Sequence, residues 1–317
     1  MFGLRQMRSR PAALPCTGIL VVMLGTAAAA ATDASAVPTT TTVVAAVAAD
    51  CRAVVSFDRG AFPRHPKIDN KFLPLRPGRF TVVSGSVLDE NGQLHAHRIL
   101  ATVSSVTKVL HGVRTVVVFE RDYQDGVLQE SELAFEAQDK RGTVWNVGEY
   151  PEEYEDGALL GAESTWIAGI ARAKAGVNML SHPRAGTPAY LQGVAPSVAF
   201  RDCAQVTQTR QRVCVPVRCF KHVLVTDEWA PLDPDGGHQL KYYAPGVGSI
   251  RVGAVGGAAQ EVLALTHVAR LGPAALAKTN AAVLKQDRRG YRVSPHVYGR
   301  TPRAELGTRH GPGHDGG

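Results

Sequence analysis

The stretch Lys241-Tyr-Tyr-Ala-Pro-Gly-Val-Gly-Ser-Ile-Arg-Val252 has the pattern of a strand, a tight turn and a second strand. Pro245 holds φ at about −65°, which suits the first corner of a turn, and Gly246 can adopt the positive φ that a type II turn requires next. A hairpin of two strands is only marginally stable in water by itself. We therefore expect this hairpin to belong to a larger sheet.

The sequence before the hairpin has the composition of such a sheet. Segments rich in Val, Thr and aromatic residues alternate with turn dipeptides such as Asp125-Gly126 and Asp156-Gly157. Turns this short join antiparallel neighbours, and residues 115–119 are apolar on both faces, so they need cover on both sides. The pattern predicts a mainly β protein: a single large curved antiparallel sheet, a half-barrel or a sandwich, with a C-terminal helix.

The first 36 residues have the pattern of an export signal. Arg5, Arg8 and Arg10 precede an apolar run at 18–31, and small residues at 34–36 suit a cleavage site. The apolar run is shorter than the about 20 residues that cross a bilayer, and no later segment is long and apolar enough. We expect a protein that is secreted, or periplasmic and part of the cell envelope, with no transmembrane segment after signal cleavage.

The remaining chain divides by composition into four parts. An Ala-rich segment at 271–290, with Pro273 at a first-turn position, favours a helix, and the residues after it are rich in Gly, Arg and His. The predicted organisation is a signal peptide at 1–36, a flexible leader at 37–50, an antiparallel β domain at 51–270, a C-terminal helix at 271–290 and a disordered tail at 291–317.

Four cysteines follow the predicted signal peptide, and export favours disulfides over metal ligation for them. Four cysteines allow three pairings. We favour Cys214 with Cys219, because Pro216 between them promotes a bend. Cys51 would then pair with Cys203.

The net charge of +7 does not indicate a nucleic-acid partner. Residues 51–270 hold 24 basic and 23 acidic side chains, whereas a nucleic-acid binder concentrates positive charge on its folded surface. Charge is segregated along the chain, with 120–163 acidic and 164–221 basic. This segregation is the feature that would serve a surface-interaction domain.

The proline-rich stretch Asn70-Lys-Phe-Leu-Pro-Leu-Arg-Pro-Gly78, together with Glu228-Trp229 and the hairpin at 241–248, resembles a group of uncharacterised exported bacterial β-proteins. The resemblance extends over most of 70–268. It implies export and a β-rich fold and carries no catalytic residues. A signal followed by a long antiparallel meander is also similar to envelope carriers whose half-barrels hold lipid, although fold does not fix function.

His95 and His97 are the candidate metal ligands. Residues i and i+2 of a strand share a face, so both imidazoles could reach one ion together with a neighbouring carboxylate. Two further stretches contain carboxylates that could form a site, the acidic cluster at 149–156 and the Asp227-Glu228-Trp229 triplet. A solvated turn and a core tryptophan explain these groups more simply.

The exported chain contains no common serine-hydrolase, zinc-protease or nucleotide-binding motif. We therefore expect a non-catalytic exported β-domain, without a cofactor, that binds an apolar or amphiphilic lipid-like molecule or an envelope partner inside a curved sheet. One alternative is a cell-envelope metal-assisted hydrolase that uses His95 and His97. Another is a structural or surface-interaction domain.

Overall fold

The computed structural model describes residues 51–89 and 91–307. The predicted signal peptide and leader, and the end of the predicted tail, lie outside the described residues. The strands are β1 (Arg79–Leu88), β2 (Leu94–Leu110), β3 (Val113–Gln124), β4 (Val127–Gln138), β5 (Val144–Glu155), β6 (Ala158–Gly161), β7 (Trp166–Ile167), β8 (Lys174–Met179), β9 (Tyr190–Ala195), β10 (Phe200–Val215), β11 (Arg218–Trp229), β12 (His238–Ala244), β13 (Gly248–Val255), β14 (Gln260–Arg270) and β15 (Glu305–Leu306), and the helix is α1 (Pro273–Val293).

Twelve of the strands form a closed antiparallel barrel. The ring runs β1, β14, β13, β12, β11, β10, β9, β8, β5, β4, β3, β2 and returns to β1, while β6 and β7 pair with β5 and β15 pairs with β2. Gly85 in β1, for example, lies opposite Leu263 in β14 and His97 in β2. The prediction of an open curved sheet, half-barrel or sandwich was therefore wrong, although the mainly β content and the C-terminal helix are correct.

Closure explains why several strands are apolar on both faces. Val117 and Val118 are neighbours in β3, so they point to opposite faces, and both are buried. One face contributes to the interior of the barrel, and α1 covers part of the other. Ser131 of β4 donates a 2.9 Å hydrogen bond to the Gln286 side chain of this helix. A closed ring also leaves no unpaired sheet edge.

The hairpin between β12 and β13 has the predicted turn. The Val247 amide donates to the Ala244 carbonyl at 3.0 Å, and Gly246 has a φ of 73°. These values are those of a type II turn with Pro245 at its first corner.

Residues 291–307, which belong to the predicted disordered tail, take part in the fold. Helix α1 extends to Val293, and β15 pairs with β2. Tyr298 is fully buried and donates a 2.8 Å hydrogen bond to Asp287, which also binds the buried Lys108 at 2.7 Å. The buried Tyr298 ring and the Asp287–Lys108 ion pair thus fix residues whose composition is that of a solvated tail. No helix in the described part of the chain is both long and apolar enough to span a membrane.

Disulfides join Cys51 to Cys203 and Cys214 to Cys219, the two pairs favoured from the sequence. Cys214 and Cys219 lie directly opposite each other on β10 and β11. The other bond ties the start of the described chain to β10.

Candidate functional site: a basic cleft

Residues 68–78 form a loop, here called the Asn70 loop, that packs against one end of the barrel. The Leu75 amide donates to the Ile68 carbonyl at 3.1 Å, which closes the loop on itself. Ile68, Leu73 and Leu75 are buried in the main hydrophobic cluster. The apolar residues of the loop therefore anchor it, and its charged residues Asp69, Lys71 and Arg76 remain exposed.

Asn70 fixes the conformation of the loop. Its side chain is buried, and its amide nitrogen donates to the carbonyls of Gly142 at 2.9 Å and Leu180 at 3.1 Å. Its amide oxygen accepts from the backbone of Phe72 at 2.8 Å and Leu73 at 3.1 Å. All four bonds available to an Asn side chain are made, so the loop is tied to the β4–β5 turn and to the end of β8.

The loop also contacts the β12–β13 hairpin. The Gly246 amide donates to the Lys71 carbonyl at 2.8 Å. The Arg79 guanidinium, at the start of β1, donates to the Gly246 carbonyl at 3.3 Å and to the Val247 carbonyl. The proline-rich stretch and the hairpin, which are far apart in sequence, thus meet at one place.

A cleft of about 420 Å³ lies where the loop, the hairpin turn and the ends of β1 and β14 meet. Its lining combines basic side chains with small apolar ones. The basic residues are Lys71, Arg76, Arg79 and Arg270, and the apolar ones are Pro74, Pro77 and Ala269.

The charge of the cleft is unbalanced. Among the described residues, Asp69 is the only acidic side chain in the lining, and it binds Lys67 at 2.6 Å. The hydrogen bonds from Lys67 and Gln138 lower the pKa of Asp69, which is therefore ionised at neutral pH and accepts hydrogen bonds from both side chains. Within the described chain, the four basic residues of the cleft form no ion pair with an acidic side chain.

Arg79 shows the consequence of this imbalance. Burial lowers the pKa of its guanidinium, and the positive charge of Arg76 lowers that pKa further. Arginine nevertheless stays charged at neutral pH. An anion in the cleft would relieve the repulsion, and guanidinium groups bind phosphate, sulfate and carboxylate through paired hydrogen bonds.

This site was not predicted from the sequence, because one of its four cations, Arg270, is distant from the other three along the chain. Lys71, Arg76 and Arg79 are close together, and their spacing beside two prolines was a usable signal. Arg270 joins them only because β14 pairs with β1, where Arg79 lies opposite Arg270.

His95 and His97 lie near the other end of β1, where both bind carboxylates. His95 Nδ1 is 2.7 Å from Asp125 Oδ2. His97 is buried, with Nε2 2.5 Å from Asp122 Oδ1 and Nδ1 2.9 Å from Glu261 Oε1. His97 therefore bridges β3 and β14 through its two ring nitrogens.

This arrangement disfavours metal binding at His97. Burial lowers the pKa of the imidazole, but Asp122 and Glu261 raise it more, to about 10. At neutral pH both ring nitrogens carry protons, whereas a metal ion needs a free lone pair. No group of three metal-ligating side chains occurs in residues 51–89 and 91–307. Metal binding at His95 and His97 stays a prediction, which elemental analysis of the purified protein would test.

Two carboxylates from the acidic stretches of the sequence, Glu152 and Glu228, form buried ion pairs. Glu152 is fully buried and binds Arg289 of α1. Glu228 is buried with Lys241, at a distance of 2.9 Å. The cluster at 149–156 is therefore not a solvated turn throughout, and these two carboxylates hold elements of the fold together.

No family model and no curated protein sequence matches this chain. A solved structure from Bacteroides fragilis, whose name describes an exported protein with a YmcC-like fold, is 13% identical, covers 63% of this chain and 100% of its own, and has a TM-score of 0.36. A structure named as a lipoprotein, from Parabacteroides distasonis, is 12% identical, covers 63% and 99%, and has a TM-score of 0.25. Both names describe exported bacterial proteins, which is also the kind of protein that the sequence resembles. Scores this low establish neither fold nor function for this chain.

Proposed function

We propose that this protein is a non-catalytic exported binding protein that holds an amphiphilic small molecule by its anionic head group in the basic cleft. The observation that carries the proposal is four basic side chains without acidic partners around one cleft. The small apolar residues beside them suit the adjoining part of an amphiphile.

The construction of the cleft supports a binding role. Its volume of about 420 Å³ falls within the range of about 300–1,000 Å³ that is common for small-molecule sites. The loop on one side is anchored by the buried Asn70, and Arg79 is held by two carbonyls. Binding would therefore require little ordering of the protein.

The cleft replaces the barrel interior as the expected ligand site. Apolar side chains of the neighbouring strands β1, β14 and β13 pack together, and Val83, Leu263 and Ile250 are buried in one hydrophobic cluster. The described lining of the cleft contains no serine, cysteine or histidine to act as a nucleophile or general base. This composition favours binding over catalysis.

The two disulfides support the exported location. Such bonds persist in oxidising compartments outside the cytoplasm.

Isothermal titration calorimetry on residues 37–317, purified without detergent, tests the proposal. The ligands are octyl phosphate, octyl sulfate and octanoate, with uncharged octyl glucoside for comparison, each below its micelle concentration. At least one anionic ligand should bind saturably, and the Arg76→Gln/Arg270→Gln variant should bind it at least about tenfold more weakly.

The matched control is Lys285→Gln/Arg288→Gln, which removes the same charge from exposed positions of α1. This variant should bind like the unmodified protein. If no anionic amphiphile binds, or if the cleft variant binds as well as the control, the proposal is overturned.

A further inference from the structure

The structure assigns a doubly charged phosphate-type head group to the ligand of the basic cleft, in preference to a carboxylate or a zwitterion. This inference rests on the proposed function and specifies the chemistry of its ligand. It is drawn from the number, the origin and the anchoring of the cations.

Cations converge on the cleft from three elements. Lys71 and Arg76 come from the Asn70 loop, Arg79 from the start of β1 and Arg270 from the end of β14. Barrel closure places Arg79 opposite Arg270 in the β1–β14 pair. A single negative charge would leave most of this positive charge unbalanced, so a dianion fits better.

Arg79 is positioned to contact such a group. Two of its N–H groups are directed to the carbonyls of Gly246 and Val247. A guanidinium carries five N–H donors in a fixed plane, so three remain for a ligand. A phosphate monoester offers three terminal oxygens to these donors and to the neighbouring cations, whereas a carboxylate offers two.

A zwitterionic head group is disfavoured by the same lining. Its positive part would lie among the four cations. Asp69, the one acidic side chain of the described lining, is already bonded to Lys67 at 2.6 Å. A choline or an amine would therefore have to compete with Lys67 for the one carboxylate of the described lining, while facing four cations.

Calorimetry with four ligands of one chain length tests the inference: octyl phosphate, octyl sulfate, octanoate and octylphosphocholine, at constant ionic strength. At pH 8, octyl phosphate should bind at least about tenfold tighter than each of the others. Its affinity should rise between pH 5.5 and pH 8, because the second proton of a phosphate monoester leaves at about pH 6. Octyl sulfate keeps one charge over this range and should show a smaller change.

The failure of the inference can be told from that of the proposed function. Equal affinity for octyl phosphate and octanoate would overturn the phosphate preference and leave anion binding intact. Binding of none of the four would overturn both. Tight binding of octylphosphocholine would overturn the exclusion of zwitterions.

Variants show whether the preference originates in the cleft. Arg76→Gln/Arg270→Gln should bring the octyl phosphate to octanoate affinity ratio close to one, while Lys285→Gln/Arg288→Gln should keep the ratio of the unmodified protein. Thermal melts of both variants establish that they are folded. If both variants lose the preference equally, it arises from overall charge and the assignment to the cleft is overturned.

Discussion

Strand β1 begins at the basic cleft and ends beside His95 and His97. The positive charges lack acidic partners at the first end and have them at the second. At the cleft, Arg79 lies near Arg76 and opposite Arg270, with no acidic partner in the described chain. At the other end, His97 lies between Asp122 and Glu261.

The difference separates a structural charge from one that is available to a ligand. The imidazolium of His97 is buried, and two carboxylates compensate for its lost hydration, so it holds β3 and β14 together. The arginines of the cleft are accessible or half-buried and lack such compensation. A cluster of like charges around a cleft is therefore the stronger sign of a binding site.

Replacing His97 with Leu should give the largest effect. The substitution leaves Asp122 and Glu261 facing each other, and removing one partner of a buried ion pair costs about 3–5 kcal/mol. Urea denaturation at pH 7 measures the loss in the free energy of unfolding. His95→Ala is the control, since that side chain is more exposed, and its loss should be much smaller than that of His97→Leu. Equal losses for the two variants would contradict the role given to His97.

Replacing Asn70 with Ala should give the second-largest loss in the free energy of unfolding, although Asn70 carries no charge. The substitution leaves the amides of Phe72 and Leu73 and the carbonyls of Gly142 and Leu180 without their partner, and should cost about 2–3 kcal/mol. Octyl phosphate binding should weaken as well, because the loop carries Lys71 and Arg76. Unchanged binding would show that the cleft forms without this anchor. Urea denaturation and calorimetry supply the two measurements.

The stabilisation from His97 should decline in alkali. The folded pKa is raised from 6.5 to about 10, so this contribution is complete below about pH 6.5 and is lost as the pH rises towards about 10. The difference in the free energy of unfolding between the unmodified protein and His97→Leu should therefore shrink between pH 7 and pH 10. A difference that stays constant over this range would show that the imidazole is not protonated in the folded state.

Arg76→Gln should have the smallest effect on the free energy of unfolding, and any effect should be a stabilisation and not a loss. Because Arg76 lowers the pKa of Arg79 through repulsion, its removal should leave the free energy of unfolding unchanged or raise it by up to about 0.5 kcal/mol. Urea denaturation at low ionic strength measures the change. A clear loss of stability would mean that Arg76 has a structural partner, and the contrast with His97 would fail.

Part of the fold could be predicted because its determinants are local. The β12–β13 turn follows from a proline that limits φ and from a glycine that permits positive φ, and both are adjacent in sequence. The strand content follows in the same way from composition and from Asp-Gly turns, as at Asp125 and Gly126, which both have positive φ. The pairing of Cys214 with Cys219 was favoured for a local reason as well, the bend that Pro216 promotes between them, and with four cysteines the other pair then follows.

The sequence by itself thus determined the β character and the turn of the central hairpin. Only the tertiary structure decided barrel closure, since the pairing of β1 with β14 joins strands far apart in the chain and no local pattern specifies it. The same pairing brought together the charged side chains at both ends of β1. It placed Arg270 beside Arg79 and Glu261 beside His97, because electrostatic partners are set by distance in space rather than by separation along the chain.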